Sequence, residues 1–392
     1  MKQKQQKMGL YTLGFVENKS TYVNDLQKLL NGTEYIASKE EINEFTLKVE
    51  YYNQKGFQRL SNGDCVNSNN ATYIRFKTIY KTMNDEIIYG WFTRSKSIFK
   101  GVEWGTEKQF QKKVKRNSAF SIGCMYFDHT GEGLSFLEDI ASNTIPETWK
   151  YRNNTSFINY PILKSYLENV LERLKKEEAD GKKDKILYSK DKKYVMFNTN
   201  LLDIYFHEVI VVGEVENDGE DFYIKNPHRS ANPLERRTLG FGKSTPIQPQ
   251  FFDDINDVIY QVNWDILKDF DKFTHIIQER IDRFPEEYKE DTPDYLARRL
   301  DDAISFAVTL AQRNYKFLVP MYRPQTHSIQ LLMPIYLNKR YSERPDFALV
   351  LTPNKDAEMY VPETILPLDA VYQNARLIAK PDELWLNPNT IK

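Results

Sequence analysis

Arginine, lysine and amide side chains recur in the second half of the chain, and these are the residue types best suited to bind a phosphorylated ligand. Guanidinium groups grip phosphate through paired hydrogen bonds, and side-chain amides can read the edges of unpaired bases. Together they predict a pocket for RNA or a nucleotide, although each alone also fits a structural ion pair or a helix cap. The candidate RNA-binding residues are Arg229, Arg280, Arg283, Arg313, Lys316, Gln330, Tyr372, Asn374 and Arg376.

Three histidines are candidates for proton transfer if the chain is an enzyme that acts on RNA ends: His129, His228 and His275. In such an enzyme the histidines would move protons and the arginines would neutralise phosphate, without a metal ion. His275 lies four residues before Glu279 on a predicted helix, a spacing that equally fits an exposed ion pair. The enzyme hypothesis therefore stands beside a structural interpretation of the same residues.

A glycine-rich segment at residues 240–245 resembles part of a nucleotide-binding phosphate loop. The full pattern needs a glycine five residues before Gly242, and that position holds Arg237. No cysteine and histidine cluster has the spacing of a zinc site either. The sequence therefore predicts no metal and no cofactor.

Composition limits the kinds of partner. The 392 residues include 54 Lys and Arg against 55 Asp and Glu, so any RNA site must be a local patch rather than a globally basic surface. The two cysteines, Cys65 and Cys124, suit a reducing cytoplasm and no disulfide framework. The polar start of the chain does not resemble a signal peptide, and no apolar run is long enough to span a membrane. We expect a cytoplasmic protein without membrane contact.

Residues 1–120 differ from the rest of the chain in the pattern of their apolar and polar residues. Apolar and polar residues alternate at 72–77, and 86–92 is another candidate strand. This pattern predicts a small β-rich domain that binds RNA or a protein partner. Its candidate exposed aromatic residues are Tyr51, Tyr52, Trp91 and Phe92.

The last third of the chain predicts two hairpins and a helix. Apolar runs at 317–322 and 329–337 flank a turn, and a second pair lies at 347–351 and 358–361. The spacing of apolar residues then predicts a helix over 367–380. On this helix Arg376 is expected on the outward face near Asp369, where it would meet a phosphate together with Arg313 or Lys316.

Three further helices are predicted upstream. One begins near Pro161 and another at Thr292 and Pro293, because proline suits the first turn of a helix. A third is predicted from an Asn263 cap to about Phe284. These helices and the hairpins predict a large domain over residues 121–392 with an antiparallel-rich central sheet flanked by helices.

Several sequence segments of this region resemble the bacterial domain of unknown function family 3825. They occur in the same order and at consistent spacing. The resemblance covers roughly residues 125–388, and one departure is Asn200, where the family's segment has glycine. The segments are 197–201 (Phe-Asn-Thr-Asn-Leu), 280–285 (Arg-Ile-Asp-Arg-Phe-Pro), 313–316 (Arg-Asn-Tyr-Lys), 328–334 (Ser-Ile-Gln-Leu-Leu-Met-Pro), 364–376 (Thr-Ile-Leu-Pro-Leu-Asp-Ala-Val-Tyr-Gln-Asn-Ala-Arg) and 385–388 (Trp-Leu-Asn-Pro).

The resemblance implies an RNA-related role, because members of that family are often fused to cold-shock or other RNA-binding modules. The sequence thus predicts an α+β protein that binds RNA, single-stranded or at its ends, in RNA metabolism or a stress response. Two alternatives stay open: an RNA-processing or RNA-repair enzyme such as a ligase or nuclease, and a protein-interaction scaffold. Nothing in the sequence indicates the oligomeric state.

Overall fold

The chain divides into two compact units. A computed structural model describes residues 10–16, 21–30, 49–60, 62–95, 98–118, 120–217, 222–230, 232–338, 340–342, 344–382, 385–389 and 391. The first unit extends to Ser121 and the second begins at Ile122. The separate folding of two domains, 1–120 and 121–392, remains a prediction.

The first unit contains a four-stranded antiparallel sheet in the order β1-β2-β3-β4. Its aromatic residues mostly form the core. The predicted exposure of Tyr52, Trp91 and Phe92 is wrong, since all three are buried. The elements of this unit are α1 (Leu10–Leu13), α2 (Thr21–Leu30), β1 (Val49–Tyr52), β2 (Tyr73–Lys81), β3 (Ile87–Ser95), β4 (Ile98–Gly105) and α3 (Glu107–Ser118).

A six-stranded sheet forms the first part of the second unit, in the order β5-β6-β10-β9-β8-β7. The strand β10 pairs with β9 in antiparallel and with β6 in parallel. The elements are β5 (Phe120–Ile122), β6 (Met125–Phe127), α4 (Thr130–Ser142), α5 (Pro161–Ala179), β7 (Ile186–Tyr188), β8 (Tyr194–Leu202), β9 (Glu208–Asn217), β10 (Phe222–Arg229) and α6 (Pro233–Thr238).

Asn200 adopts a backbone conformation that favours glycine. Its φ angle is 60°, in the left-handed region, within a stretch of β8 where the register with β9 shifts. Glycine adopts this conformation without strain, and asparagine is among the few other residues that tolerate it. The expected glycine and the asparagine found here are therefore compatible with the same backbone conformation.

A five-stranded sheet follows, in the order β11-β15-β14-β13-β12, and the two predicted hairpins supply four of its strands. The helix α7 packs on β15, α8 on β13, and α9 on β12 and β14. The α+β fold is thereby confirmed. The elements are β11 (Asp265–Ile266), α7 (Phe270–Arg280), α8 (Pro293–Ala311), β12 (Val319–Arg323), β13 (Ser328–Ile335), β14 (Phe347–Asn354), β15 (Met359–Leu366) and α9 (Leu368–Ile378).

Two of the three helix starts predicted from local sequence are found in the structure, and the third is not. Pro161 and Pro293 begin α5 and α8, and the Thr292 side chain accepts the backbone N–H of Tyr295. The predicted start at Asn263 is wrong, because β11 pairs in parallel with β15 and takes residues 265–266 into the sheet. The helix α7 can begin only after that strand.

Among the helices that the structure describes, none combines the length and apolar character needed to cross a membrane.

The two cysteines are free and differ in environment, which gives a chemical test of the second unit. Cys65 is exposed. Burial, reinforced by the Glu172 carboxylate, raises the pKa of Cys124 to about 12. Because the thiolate is the reactive form, we expect iodoacetamide at pH 8 to alkylate Cys65 and spare Cys124 in the native protein. Peptide mass mapping would measure the extent of alkylation at each cysteine, with urea-unfolded protein as the control. Equal labelling of both thiols in the native protein would contradict the burial of Cys124.

Separate folding of the second unit can be tested with a fragment that starts at Phe120. Its sheets and their helices lie within residues 120–392, so we expect a cooperative thermal transition. Circular dichroism melting of the fragment beside the whole chain measures this. A fragment that melts without a sigmoidal transition would show that residues 1–119 are needed for its fold.

Candidate functional site

A cleft of about 560 Å³ in the second unit collects polar residues from three elements. One wall is the helix α7 and the 3₁₀ turn after it, Ile281–Arg283. Ile276, Glu279, Arg280 and Arg283 line the cleft from this wall. Their spacing of three, four and seven residues places them along one face of a helical segment. We call this site the arginine cleft.

The floor of the arginine cleft is the five-stranded sheet. Met321 opposes Gln330 across β12 and β13, and Val350 opposes Thr364 across β14 and β15. Side chains of directly opposed residues point to the same face of a sheet. Arg323 lies two residues beyond Met321 on β12 and therefore joins this face.

The second wall is the helix α9, which contributes Ala370 and Asn374 from successive turns. Asn374 is partly exposed. In the part of the chain that the structure describes, its amide makes no hydrogen bond. The amide is thus available to a ligand at the boundary between helix and sheet.

Three guanidinium groups, from Arg280, Arg283 and Arg323, line the cleft with two carboxylates, from Glu279 and Glu363. Burial, together with the positive charge of Arg280, lowers the pKa of Arg283. Like charges held close in a partly desolvated place repel each other, and an anion between them would relieve that repulsion. The electrostatics of this wall therefore favour an anionic ligand.

Arg280 and Arg283 are only partly satisfied by the protein. Arg283 Nη1 donates to the carbonyl of Ile365. Arg280 Nη1 donates to the backbone oxygen of Glu279 at 3.0 Å, and Nη2 lies 3.6 Å from the carboxylate of Glu279. Arg280 Nε is buried without a hydrogen-bond partner among the described residues. This donor therefore lacks an acceptor in the described structure.

Gln330 is the most buried polar residue of the cleft, with 2% of its surface exposed. Its Nε2 donates to Thr352 Oγ1 at 2.8 Å, and its Oε1 has no partner in the described structure. Exchanging the amide oxygen and nitrogen would leave the other atom unpaired instead. An unpaired buried polar atom costs roughly 1–3 kcal/mol, so this amide is a strong candidate to be completed by a ligand.

Arg323 is the cleft residue that the sequence analysis missed, since it was assigned to the turn after β12. It is partly exposed, and within the described ranges its guanidinium forms no hydrogen bond or ion pair. The alternation of side chains along β12 is the signal that finds it, because Met321 and Arg323 share a face. Glu279 was considered only as a partner of His275, and Glu363 was not considered.

The structure brings four of the predicted RNA-binding residues together in the arginine cleft: Arg280, Arg283, Gln330 and Asn374. The other five lie elsewhere and mostly serve the fold. Arg229 forms a two-point ion pair with Asp139, and Arg313 Nη1 donates to the Thr309 carbonyl. The Lys316 ammonium lies 3.7 Å from the Asp382 carboxylate. Tyr372 is buried, and Arg376 is enclosed beside Glu147.

The expected outward position of Arg376 is wrong. Its side chain is 11% exposed and forms a two-point ion pair with Glu147, which is 8% exposed. The guanidinium also lies over the rings of Trp149 and Tyr166, at 4.9 and 4.8 Å from their centroids. Burial opposes the charge, but the hydrogen bond with Glu147 keeps the pKa of Arg376 above its ordinary value. A residue so enclosed cannot meet a phosphate without breaking this pair.

Two of the three candidate histidines lie away from the cleft. His129 is exposed at the N-terminus of α4, and His228 Nε2 lies 2.9 Å from Glu235. Neither lines the arginine cleft. His275 lies on α7, but its side chain is outside the described residues. No group of three or more His, Cys, Asp or Glu residues in the described ranges is placed to hold a metal ion.

The family model of Domain of unknown function (DUF3825) matches residues 140–385, more than half of the chain. The chain belongs to this family. Every residue of the arginine cleft lies inside the matched DUF3825 region, from Ile276 to Asn374. No curated protein and no solved structure matches the chain.

Replacing Arg376 tests the structural role that its burial assigns to it. Removing one partner of a buried ion pair leaves the other charge unpaired, so we expect Arg376→Ala to lower the free energy of unfolding by about 3–5 kcal/mol. Urea denaturation followed by fluorescence measures the change. The control is Arg313→Ala, at an exposed arginine whose side chain, among the described residues, donates to Thr309 of the preceding helix, with an expected loss of less than about 0.5 kcal/mol. Equal stability of the two variants would contradict the importance of the pair with Glu147.

Proposed function

We propose that the DUF3825 domain of this chain binds single-stranded RNA or RNA ends and that the arginine cleft receives one nucleotide. The observation that carries this proposal is the meeting of three guanidinium groups with the unpaired amide oxygen of Gln330 in one cleft. A volume of about 560 Å³ is within the usual range for a small-molecule pocket. It suits a single nucleotide better than a double helix.

The chemistry of the cleft corresponds to the parts of a nucleotide. Arg280, Arg283 and Arg323 would hold phosphate oxygens, because a guanidinium presents parallel donors that fit them. The amides of Gln330 and Asn374 would hydrogen-bond a base edge or a ribose hydroxyl. Glu279 and Glu363 limit the net positive charge, so recognition would depend on the fixed geometry of these groups rather than on a strong field.

The alternative of an enzyme on RNA ends has less support from the cleft. Among the described side chains, the acid–base groups that line it are the carboxylates of Glu279 and Glu363, and neither His129 nor His228 is a lining residue. A scaffold role would leave the unpaired groups of Gln330 and Arg280 without a purpose. Binding in a reducing cytoplasm, which suits the two free cysteines, is part of the proposal.

Arg323 gives the sharpest test, since no protein group depends on its charge in the described structure. We expect Arg323→Ala to fold normally and to weaken RNA binding on the order of 10- to 100-fold, the cost of one charged hydrogen bond. The measurement is fluorescence anisotropy with unstructured RNAs of about twelve nucleotides that carry 5′-phosphate, 3′-phosphate or hydroxyl ends.

The control for Arg323 is Arg313→Ala, which removes an equal charge outside the cleft. RNA binding that Arg323→Ala leaves unchanged, or no RNA binding by the wild type at all, would contradict the proposal. Gel analysis of the same RNAs after incubation separates the alternatives, because altered length or end chemistry would indicate an enzyme.

A further inference from the structure

The turn between β8 and β9, residues 203–207, presents aromatic side chains to solvent on a rigid base. We call it the aromatic turn. Tyr205 is 72% exposed and Phe206 is 75% exposed, next to Ile204 at 60%. Such large apolar side chains are seldom left together at the surface of a protein without a binding role.

Asp203 holds the aromatic turn in one conformation. Its Oδ1 accepts the backbone N–H groups of Tyr205 at 2.8 Å and His207 at 2.9 Å. Its backbone closes the turn with His207, and the backbone N–H of Phe206 donates to its carbonyl. The backbone hydrogen bond from His207 lowers the pKa of Asp203, so the carboxylate stays ionised and keeps these bonds at neutral pH. A ligand therefore meets a turn whose backbone is already fixed beneath the two rings.

Phe206 has a φ angle of 64°, in the left-handed region. A bulky residue rarely occupies this region, and glycine would adopt it without strain. An aromatic residue in this place costs stability, and strained residues of this kind cluster at binding sites. The ring of Phe206 is thus retained in a conformation that its own backbone disfavours.

Behind the turn lies a cavity of about 550 Å³ whose lining includes Phe206, Glu208, Arg229 and Arg236. Arg229 is occupied by Asp139. In the described ranges the guanidinium of Arg236 forms no hydrogen bond or ion pair, and neither does the carboxylate of Glu208. An aromatic platform thus adjoins one free cation and one free acceptor.

We infer that the aromatic turn is a second RNA contact, which stacks one unpaired base on Phe206 and Tyr205 while Arg236 holds the adjacent phosphate. Stacking on aromatic side chains with nearby arginine is how single strands are bound without sequence preference. Glu208 favours a nucleotide over an anionic membrane surface. Base amino groups and ribose hydroxyls can donate to its carboxylate, whereas anionic headgroups would repel it. The inference rests on the proposed RNA function but uses a different site.

Phe206→Gly tests the stacking without disturbing the fold, because glycine suits the φ angle of this position. We expect it to weaken binding of a short single-stranded RNA, about twelve nucleotides long, by roughly 5- to 150-fold. It should also abolish the fluorescence change of a 2-aminopurine placed in that RNA. The control is Phe157→Ala, at a ring that is 69% exposed in the same unit, with binding expected within about twofold of the wild type.

Arg236→Gln tests the phosphate contact, with Arg237→Gln as the neighbouring control that does not line the cavity. We expect Arg236→Gln to weaken binding about tenfold and to reduce the salt dependence by about one unit of slope. Arg237→Gln should leave the slope unchanged. Equal slopes for Arg236→Gln and the wild type would overturn the phosphate contact.

Measuring Arg323→Ala in parallel separates the two sites. If Arg323→Ala weakens binding and Phe206→Gly does not, this inference fails and the proposed cleft function stands. If only Phe206→Gly weakens binding, the aromatic turn is supported and the cleft proposal fails.

Binding to phosphatidylserine vesicles tests a membrane contact. If Phe206→Gly loses vesicle binding while its RNA binding stays intact, the inference is overturned in favour of a membrane contact.

Discussion

The buried ion pair between Arg376 and Glu147 holds together the part of the molecule that forms the site. Arg376 lies on α9, which packs on the five-stranded sheet, and its guanidinium covers Tyr166 of α5, which packs on the six-stranded sheet. The pair therefore lies where the helices of the two sheets meet. Charges this far from solvent persist only when paired, so the pair fixes α9 against the segment before α5 that carries Glu147. Because α9 also supplies Asn374, the geometry of the arginine cleft depends on this contact.

Ion pairs hold two enclosed arginines outside the cleft, whereas Arg280 of the cleft keeps one buried donor unpaired. Arg376 Nε and Nη2 both donate to Glu147, and Arg75 of the first unit is enclosed by Glu50, Glu107 and aromatic rings. In the cleft, Arg280 Nε and Gln330 Oε1 have no partner among the described residues, and Arg299 Nε is likewise unpaired outside the cleft. Groups that a protein leaves unpaired at a cost are those that a ligand can complete. The presence of two such atoms beside three guanidinium groups in one cleft is the basis for proposing a binding role there.

Local sequence signals predicted most of the second unit and failed where long-range pairing decided the outcome. Proline at Pro161 and Pro293 located two helices, and apolar runs located both hairpins. The start of α7 was misplaced because the pairing of β11 with β15, far away in sequence, takes up the preceding residues. Helical periodicity gave the buried face of α9 correctly but placed Arg376 outside. Its acidic partner and aromatic neighbours belong to residues 147–166, which no local pattern connects to it.

Photocrosslinking tests the central claim most directly. A short RNA with 4-thiouridine at one end would be bound to the whole protein, irradiated, and mapped by mass spectrometry of the linked peptides. The account predicts crosslinks to the peptides that line the arginine cleft, around residues 276–283, 321–330 and 370–374. Crosslinks confined to other parts of the chain, for example to residues 49–118 of the first unit, would contradict it.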